Sequence, residues 1–212
     1  MKNFETELPQ NYKQVKIIDA KNAKISVVLN LIALAVVLAC VLGAYFIIGV
    51  PYDELIAGET NIVHNVIRIV VFFVIAVSYI ILHELVHGAA FKILTKQKLT
   101  FGITLTVAFC GVPKIYVYRK AALIAVLAPF VVFLPVLIIL CFVLPSALDK
   151  MLAAFLLGMH LGGCCGDLWV AGVLAFKYRN NAVLMNDAGP TQTFYLPCME
   201  ESSVVNSEQT ER

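Results

Sequence analysis

His83, Glu84 and His87 stand within one pentapeptide, His83-Glu84-Leu85-Val86-His87, in a stretch that is otherwise almost wholly apolar. On a helix, two histidines four apart share a face about one turn, ~6 Å, apart along the axis, close enough to grip one metal ion. The glutamate between them projects beside that pair, where it can take a proton from a water bound to the metal. Three ionisable side chains at membrane depth are costly, so their presence there calls for a functional account. Zinc suits imidazole and oxygen ligands with an open position.

Two histidines leave a catalytic zinc site incomplete, because three protein ligands and a water are usual. The third ligand must lie at the same depth. His83 precedes Lys92 by nine residues, and Asp167 precedes Lys177 by ten. At helical rise these positions stand ~13 Å and ~15 Å above the basic edge, so the depths agree. Asp167 therefore ranks first. His160 ranks second: it shares a helical face with Asp167 but lies ~10 Å higher. It can instead contact the substrate or oxyanion, or orient a ligand from outside the coordination sphere. Cys164 ranks third.

These residues need elements to hold them. The chain has 212 residues, of which 60% are hydrophobic and only 14% charged. A soluble domain carries nearer a quarter charged, so this is an integral membrane protein. Four segments reach the ~20 apolar residues a bilayer needs: about 25–50, 66–94, 121–144 and 151–176. Pro129 and Pro135 fall in the third and are expected to kink it. Asn30 in the first is expected to hydrogen-bond another helix. Gly158, Gly162, Gly163 and Gly166 are expected to let the fourth span approach the second closely.

The basic residues set orientation. Lys13, Lys16, Lys21 and Lys24 precede span one; Lys92, Lys96, Lys98, Lys114, Arg119 and Lys120 follow span two; Lys177 and Arg179 follow span four. All fall on one side if both termini are cytoplasmic, in a multi-pass protein of a cell membrane. The loop after span one carries Asp53, Glu54 and Glu59 instead. A formal charge of +2 gives no reason to expect a nucleic-acid partner. No apolar core with a small-residue cleavage site precedes span one, so a cleaved signal is not expected. The six cysteines lack the spacing of a secreted disulfide framework.

Between spans two and three the period changes. Phe101, Ile103, Leu105 and Val107 alternate with polar or small residues, as do Ile115 and Val117, and Gly111-Val112-Pro113 breaks the run. This predicts a cytoplasmic-side β-hairpin at about 99–119, with an amphipathic connecting loop as the alternative. The overall expectation is an all-α integral membrane protein of four transmembrane helices with that hairpin between helices 2 and 3. Residues 1–24 form a cytoplasmic N-terminal segment, 25–179 the membrane domain, and 180–212 a flexible cytoplasmic tail.

The string His83-Glu84-Leu85-Val86-His87-Gly88, followed two spans later by Gly166-Asp167, resembles the intramembrane zinc metalloproteases of the site-2 type. A closer likeness is to small bacterial zincin-like membrane peptidases grouped as a domain of unknown function. Their opening resembles Leu8-Pro9-Gln10-Asn11-Tyr12 and the lysine-rich stretch after it, and the likeness runs from about residue 8 to 180. It implies Zn²⁺ held by His83, His87 and Asp167, with Glu84 as general base. His160 takes roughly the place of an asparagine that a proline follows in the site-2 type, and the usual leucine-aspartate-glycine triplet reads Gly166-Asp167-Leu168 here.

The expected activity is hydrolysis of peptide bonds in membrane-embedded or membrane-proximal substrates, bound by strand addition to the 99–119 hairpin. A soluble cytoplasmic peptide reaching the site from below is a further option. The alternative from another class is a non-hydrolytic metal-binding membrane protein, a transporter or scaffold. Transporters usually line a path across the bilayer with polar residues, and the outer halves of spans two and four have almost none.

Overall fold

In the computed structural model, residues 2–49, 54, 59–104 and 107–198 are described. Four helical stretches are long and apolar enough to cross a membrane. The first, α1, runs Ala23–Ile48. The second, α2, is Glu59–Thr95, which at 37 residues projects beyond any bilayer core. The third, α3, is Arg119–Val143. The fourth is α4 (Ala147–Gly163), α5 (Cys165–Gly172) and a π-helical segment at Val173–Lys177. The interruption follows composition: Gly162-Gly163-Cys164-Cys165-Gly166 contains no strong helix former. Large apolar side chains such as Ile47, Phe142 and Phe73 are mostly exposed on the bundle's outside, as lipid-facing residues should be.

The expectation of an all-α fold is overturned. A five-stranded antiparallel sheet and a separate two-stranded sheet accompany the helices. The larger sheet contains β1 (Phe4–Glu5), β2 (Tyr12–Asp19), β5 (Tyr116–Tyr118), β6 (Leu184–Asp187) and β7 (Thr191–Pro197), in the order β1-β5-β6-β7-β2. The N-terminal segment and the tail expected to be flexible thus zip together, Tyr12 opposite Pro197 and Asp19 opposite Thr191. The reason is non-local. The strands come from distant parts of the chain, and only when paired do they bury Met185, Phe194 and Val117 in one layer against the helix ends.

The expected hairpin also differs. β3 (Thr100–Ile103) pairs with β4 (Ala108–Gly111), and the turn falls before Ala108 rather than at Gly111-Val112-Pro113. The second alternating run becomes β5, which leaves that hairpin and joins β1 and β6 instead. Tail residues 199–212, Asp53 in the acidic loop and Leu105 of the alternating run lie outside the described residues.

A further correction concerns the fourth span. Gly158 and Gly162 face α1, not α2: a Cβ at Gly158 would meet the Val37 Cα at 2.7 Å, and one at Gly162 the Ala33 Cα at 2.8 Å. Gly163 and Gly166 face open space. Small residues four apart let two backbones touch, and here they dock α4 on α1. Asn30 likewise stays within its own helix, donating to the Ser26 carbonyl at 2.8 Å.

The N-terminus of α1, the C-terminus of α2, the N-terminus of α3 and the end of the fourth helix all meet the large sheet. Its inner layer joins Phe91, Ala121, Ala122 and Leu174 in one core. A second, smaller core of Ala76, Tyr79, Leu137 and Leu156 holds the middle of the bundle.

Phe194 is fully buried at the centre of this sheet. Phe194→Ala is expected to cost about 3–5 kcal/mol, the usual range for emptying a packed phenylalanine site. Thermal unfolding in detergent measures it; an unchanged midpoint would restore the loose-tail expectation.

Candidate metal centre

His83 and His87 lie on the face of α2 that turns into the bundle, both buried. Asp167, in the first turn of α5, reaches across to them. Its Oδ2 stands 3.3 Å from His83 Nε2 and 3.4 Å from His87 Nε2. The structure therefore brings Asp167, ranked first by depth as the third ligand, to both histidines of the motif. The helix break at Cys164 precedes Asp167 by three residues and starts a new helical segment there.

The far side of each ring is fixed. His87 Nδ1 donates to the Ala125 carbonyl of α3 at 2.8 Å. A carbonyl only accepts, so the proton of a neutral His87 sits on Nδ1 and its Nε2 carries a lone pair. His83 Nδ1 meets the Tyr79 hydroxyl at 3.1 Å, and that hydroxyl meets His160 Nδ1 at 2.7 Å. One consistent assignment runs through the three: His83 Nδ1–H donates to the Tyr79 oxygen, whose O–H donates to His160. His83 Nε2 is then also a bare lone pair. Partners of this kind orient metal-ligating histidines and raise their basicity.

The donor set fits zinc. Two imidazole nitrogens and a carboxylate oxygen face one another; with both ring protons on Nδ1 all three are acceptors, and a cation among them relieves their repulsion. Ligand atoms about 2.1 Å from a tetrahedral zinc stand about 3.4 Å apart. The two separations from Asp167 match that edge.

His160 takes a different place from the ligand trio. It is fully buried in the bundle, stacked on Phe130, with its Nδ1 bound to Tyr79. His83, His160 and Cys164 form a second cluster of donor atoms within 4.8 Å of one another. The Tyr79 hydroxyl already satisfies the Nδ1 of both rings, which makes this the poorer cation site. Tyr79 was missed in the sequence, although its signal was available. It precedes His83 by the same four residues that separate His83 from His87, so all three share one helix stripe.

A cavity of about 500 Å³ reaches these groups, lined by His83, Glu84, His87 and Asp167 below and by Cys110 and Asp187 from the strands. Glu84 is half-buried on its wall. Cys110 is buried in β4, and burial pushes its thiol up to about 12, with the Asp187 and Glu84 carboxylates adding to the shift. It is a neutral thiol near pH 7. All six cysteines are unpaired.

Asp187 ends β6, and the expectation of a flexible tail hid it. The β6–β7 turn packs tightly on β4. The Val112 N–H donates to the Asp187 carbonyl at 2.8 Å, and a Cβ at Gly111 would lie 2.4 Å from the Gly189 nitrogen. Gly189 itself has φ +89°, where glycine is favoured, and a Cβ there would strike Phe109. Asp187 Oδ1 accepts from the Gly189 N–H at 2.9 Å and from Gln192 Nε2 at 3.3 Å. Burial nevertheless outweighs these donors and pushes its carboxyl up to about 7.

Fold and site together define a membrane protein with four helices long enough to span and a His–His–Asp cluster at their sheet-bearing end. The chain belongs to the family described as "Putative zincin peptidase", whose model matches residues 76–182. The match covers the histidine pair, the three strands β3, β4 and β5 that follow it, and Asp167. This membership supports a metallopeptidase, and zincins imply zinc. No curated protein and no solved structure matches the chain.

Two outcomes are expected. Tyr79→Phe removes the acceptor for His83 Nδ1–H and should weaken zinc binding roughly 10- to 100-fold without unfolding the protein; chelator competition measures this. For Asp187, a carboxyl raised in the fold favours the folded state most below its unfolded value and loses that contribution as pH rises towards 7. The melting temperature of wild type relative to Asp187→Asn should therefore fall between about pH 4 and pH 7. A pH-independent difference would contradict the assigned shift.

Proposed function

We propose that the protein is an intramembrane zinc metallopeptidase, hydrolysing peptide bonds of membrane-embedded or membrane-proximal substrates. The observation that carries this is the convergence of His83, His87 and Asp167 on one point, with Glu84 on the wall of the same cavity. His83, His87 and Asp167 would hold the ion. Zinc bound there supplies a Lewis acid that polarises the scissile carbonyl and acidifies an attacking water. Glu84 takes the proton of that water and passes it to the leaving amine. Tyr79, with His160 behind it, holds the His83 ring in register.

Orientation follows from charge. Lys13, Lys16, Lys92, Lys96, Lys177 and Arg179 cluster at the end that bears the sheet, which we place in the cytoplasm with both termini. Water reaches the cavity from that end by the shortest route. A transmembrane substrate must unwind before it is cut, and its released backbone groups then need partners. The β3–β4 ribbon can supply them by strand addition. Its outer edges pair with no other strand among the described residues, and Ala108, Phe109 and Cys110 of β4 line the cavity.

Purified protein should contain one zinc, retained in Glu84→Gln and lost from Asp167→Ala. Glu84→Gln should lower cleavage of membrane-anchored peptides by roughly 10²–10⁴-fold. His160→Ala should keep its metal, weakened as in Tyr79→Phe. Equal cleavage by wild type and Glu84→Gln would remove the base from its role. Stoichiometric zinc with no cleavage of any peptide would favour the non-hydrolytic alternative.

A further inference from the structure

The acceptor that fixes His87 is a main-chain carbonyl inside a transmembrane helix. Such a group is normally taken, because the carbonyl of residue i accepts from the N–H of residue i+4. For Ala125 that donor position is residue 129, and residue 129 is proline. Proline has no N–H. The Ala125 carbonyl therefore lacks its intrahelical donor in a setting where water is scarce and every backbone polar group needs a partner. His87 Nδ1 lies 2.8 Å from that oxygen. Ala125 and Pro129 are both buried, on the side of α3 that faces the site.

We propose that Pro129 is a positioning residue for the metal centre. By withholding an N–H it releases the Ala125 carbonyl to accept from His87 Nδ1, which directs the Nε2 lone pair of His87 at the ion. A carbonyl engaged with its own helix points along the helix axis, whereas a released one can tilt outward to a neighbour. The arrangement satisfies two requirements at once: the freed acceptor gains a donor, and the ligand's tautomer is set. The inference rests on the metal-centre reading of His87.

The same helix contains its own control. Pro135 removes the N–H opposite the Val131 carbonyl by the same chemistry, but Pro135 is exposed and Val131 is 65% exposed on the outer face. A proline acting only through the shape of α3 would act from either position. A proline acting through the released carbonyl acts from residue 129 alone.

The test uses the full chain in detergent, with zinc affinity measured by chelator competition and melting measured on the metal-free protein. Pro129→Ala restores the missing donor. It should lower zinc affinity roughly 10- to 100-fold, the usual consequence of losing a ligand's supporting hydrogen bond, while the metal-free melting temperature stays level or rises. Pro135→Ala should leave zinc affinity unchanged. Equal affinity of wild type and Pro129→Ala, or an equal loss in both variants, would overturn the proposal. Should Pro129→Ala not fold, wild type labelled with ¹⁵N-histidine decides. Zinc-loaded His87 must carry a proton on Nδ1 and coordinate through Nε2; the reverse arrangement overturns the proposal. Absence of zinc from the wild type would remove the metal-centre reading itself, and this inference with it. Zinc held equally by Pro129→Ala would remove this inference alone.

Discussion

Between α2 and α5 the Asp167 carboxylate stands 3.3 Å and 3.4 Å from the Nε2 atoms of His83 and His87. With the ring protons held on Nδ1, all three atoms are acceptors, and in a low-dielectric interior they repel until a cation enters among them. Most of the architecture around it has the effect of holding these groups in place. The Ala125 carbonyl and the Tyr79 hydroxyl set the far nitrogens of the two rings. The break after α4 starts a new helical segment just before Asp167, and Gly158 and Gly162 seat the fourth helix against α1.

The sheet solves a separate problem. A bundle of four apolar helices offers lipid-facing surface on all sides and little polar surface with which to enclose a reaction. Strands drawn from the N-terminus, the α2–α3 connection and the C-terminal region lie over the bundle's end where the histidines sit. Their buried layer of Val117, Met185 and Phe194 fuses with the helix ends. Strand β4 and the end of β6 then bring Cys110 and Asp187 to the cavity wall. Helices thus form most of the cavity wall and strands and their turns the rest, and neither part encloses it alone.

The histidine pair, the intervening glutamate and Asp167 were legible because helical geometry is local and regular. Four residues return a side chain to the same face, and a constant rise converts residue number into depth. The spans were legible for a related reason, since lipid demands uninterrupted apolar runs. The strands were poorly legible. Leu184–Asp187 and Thr191–Pro197 do flank a Gly189-Pro190 turn, a readable hairpin signal. Their polarity, however, concealed that β2 would complete them from the other end of the chain. The pairing within 99–119 failed similarly: alternation marks strands but does not say which strand is the partner.

The sequence by itself determined the four apolar helices, the ionisable residues placed within them and the depth at which those residues lie, because each depends on spacing along one helix. Only the tertiary structure decided that Gly158 and Gly162 face α1, that His160 meets His83 through Tyr79, that Asp187 lines the cavity and that a proline-freed carbonyl holds His87. Each of these depends on which faces of separate elements meet. That choice is set by packing and hydrogen-bond satisfaction across the whole molecule, and no single stretch of chain encodes it.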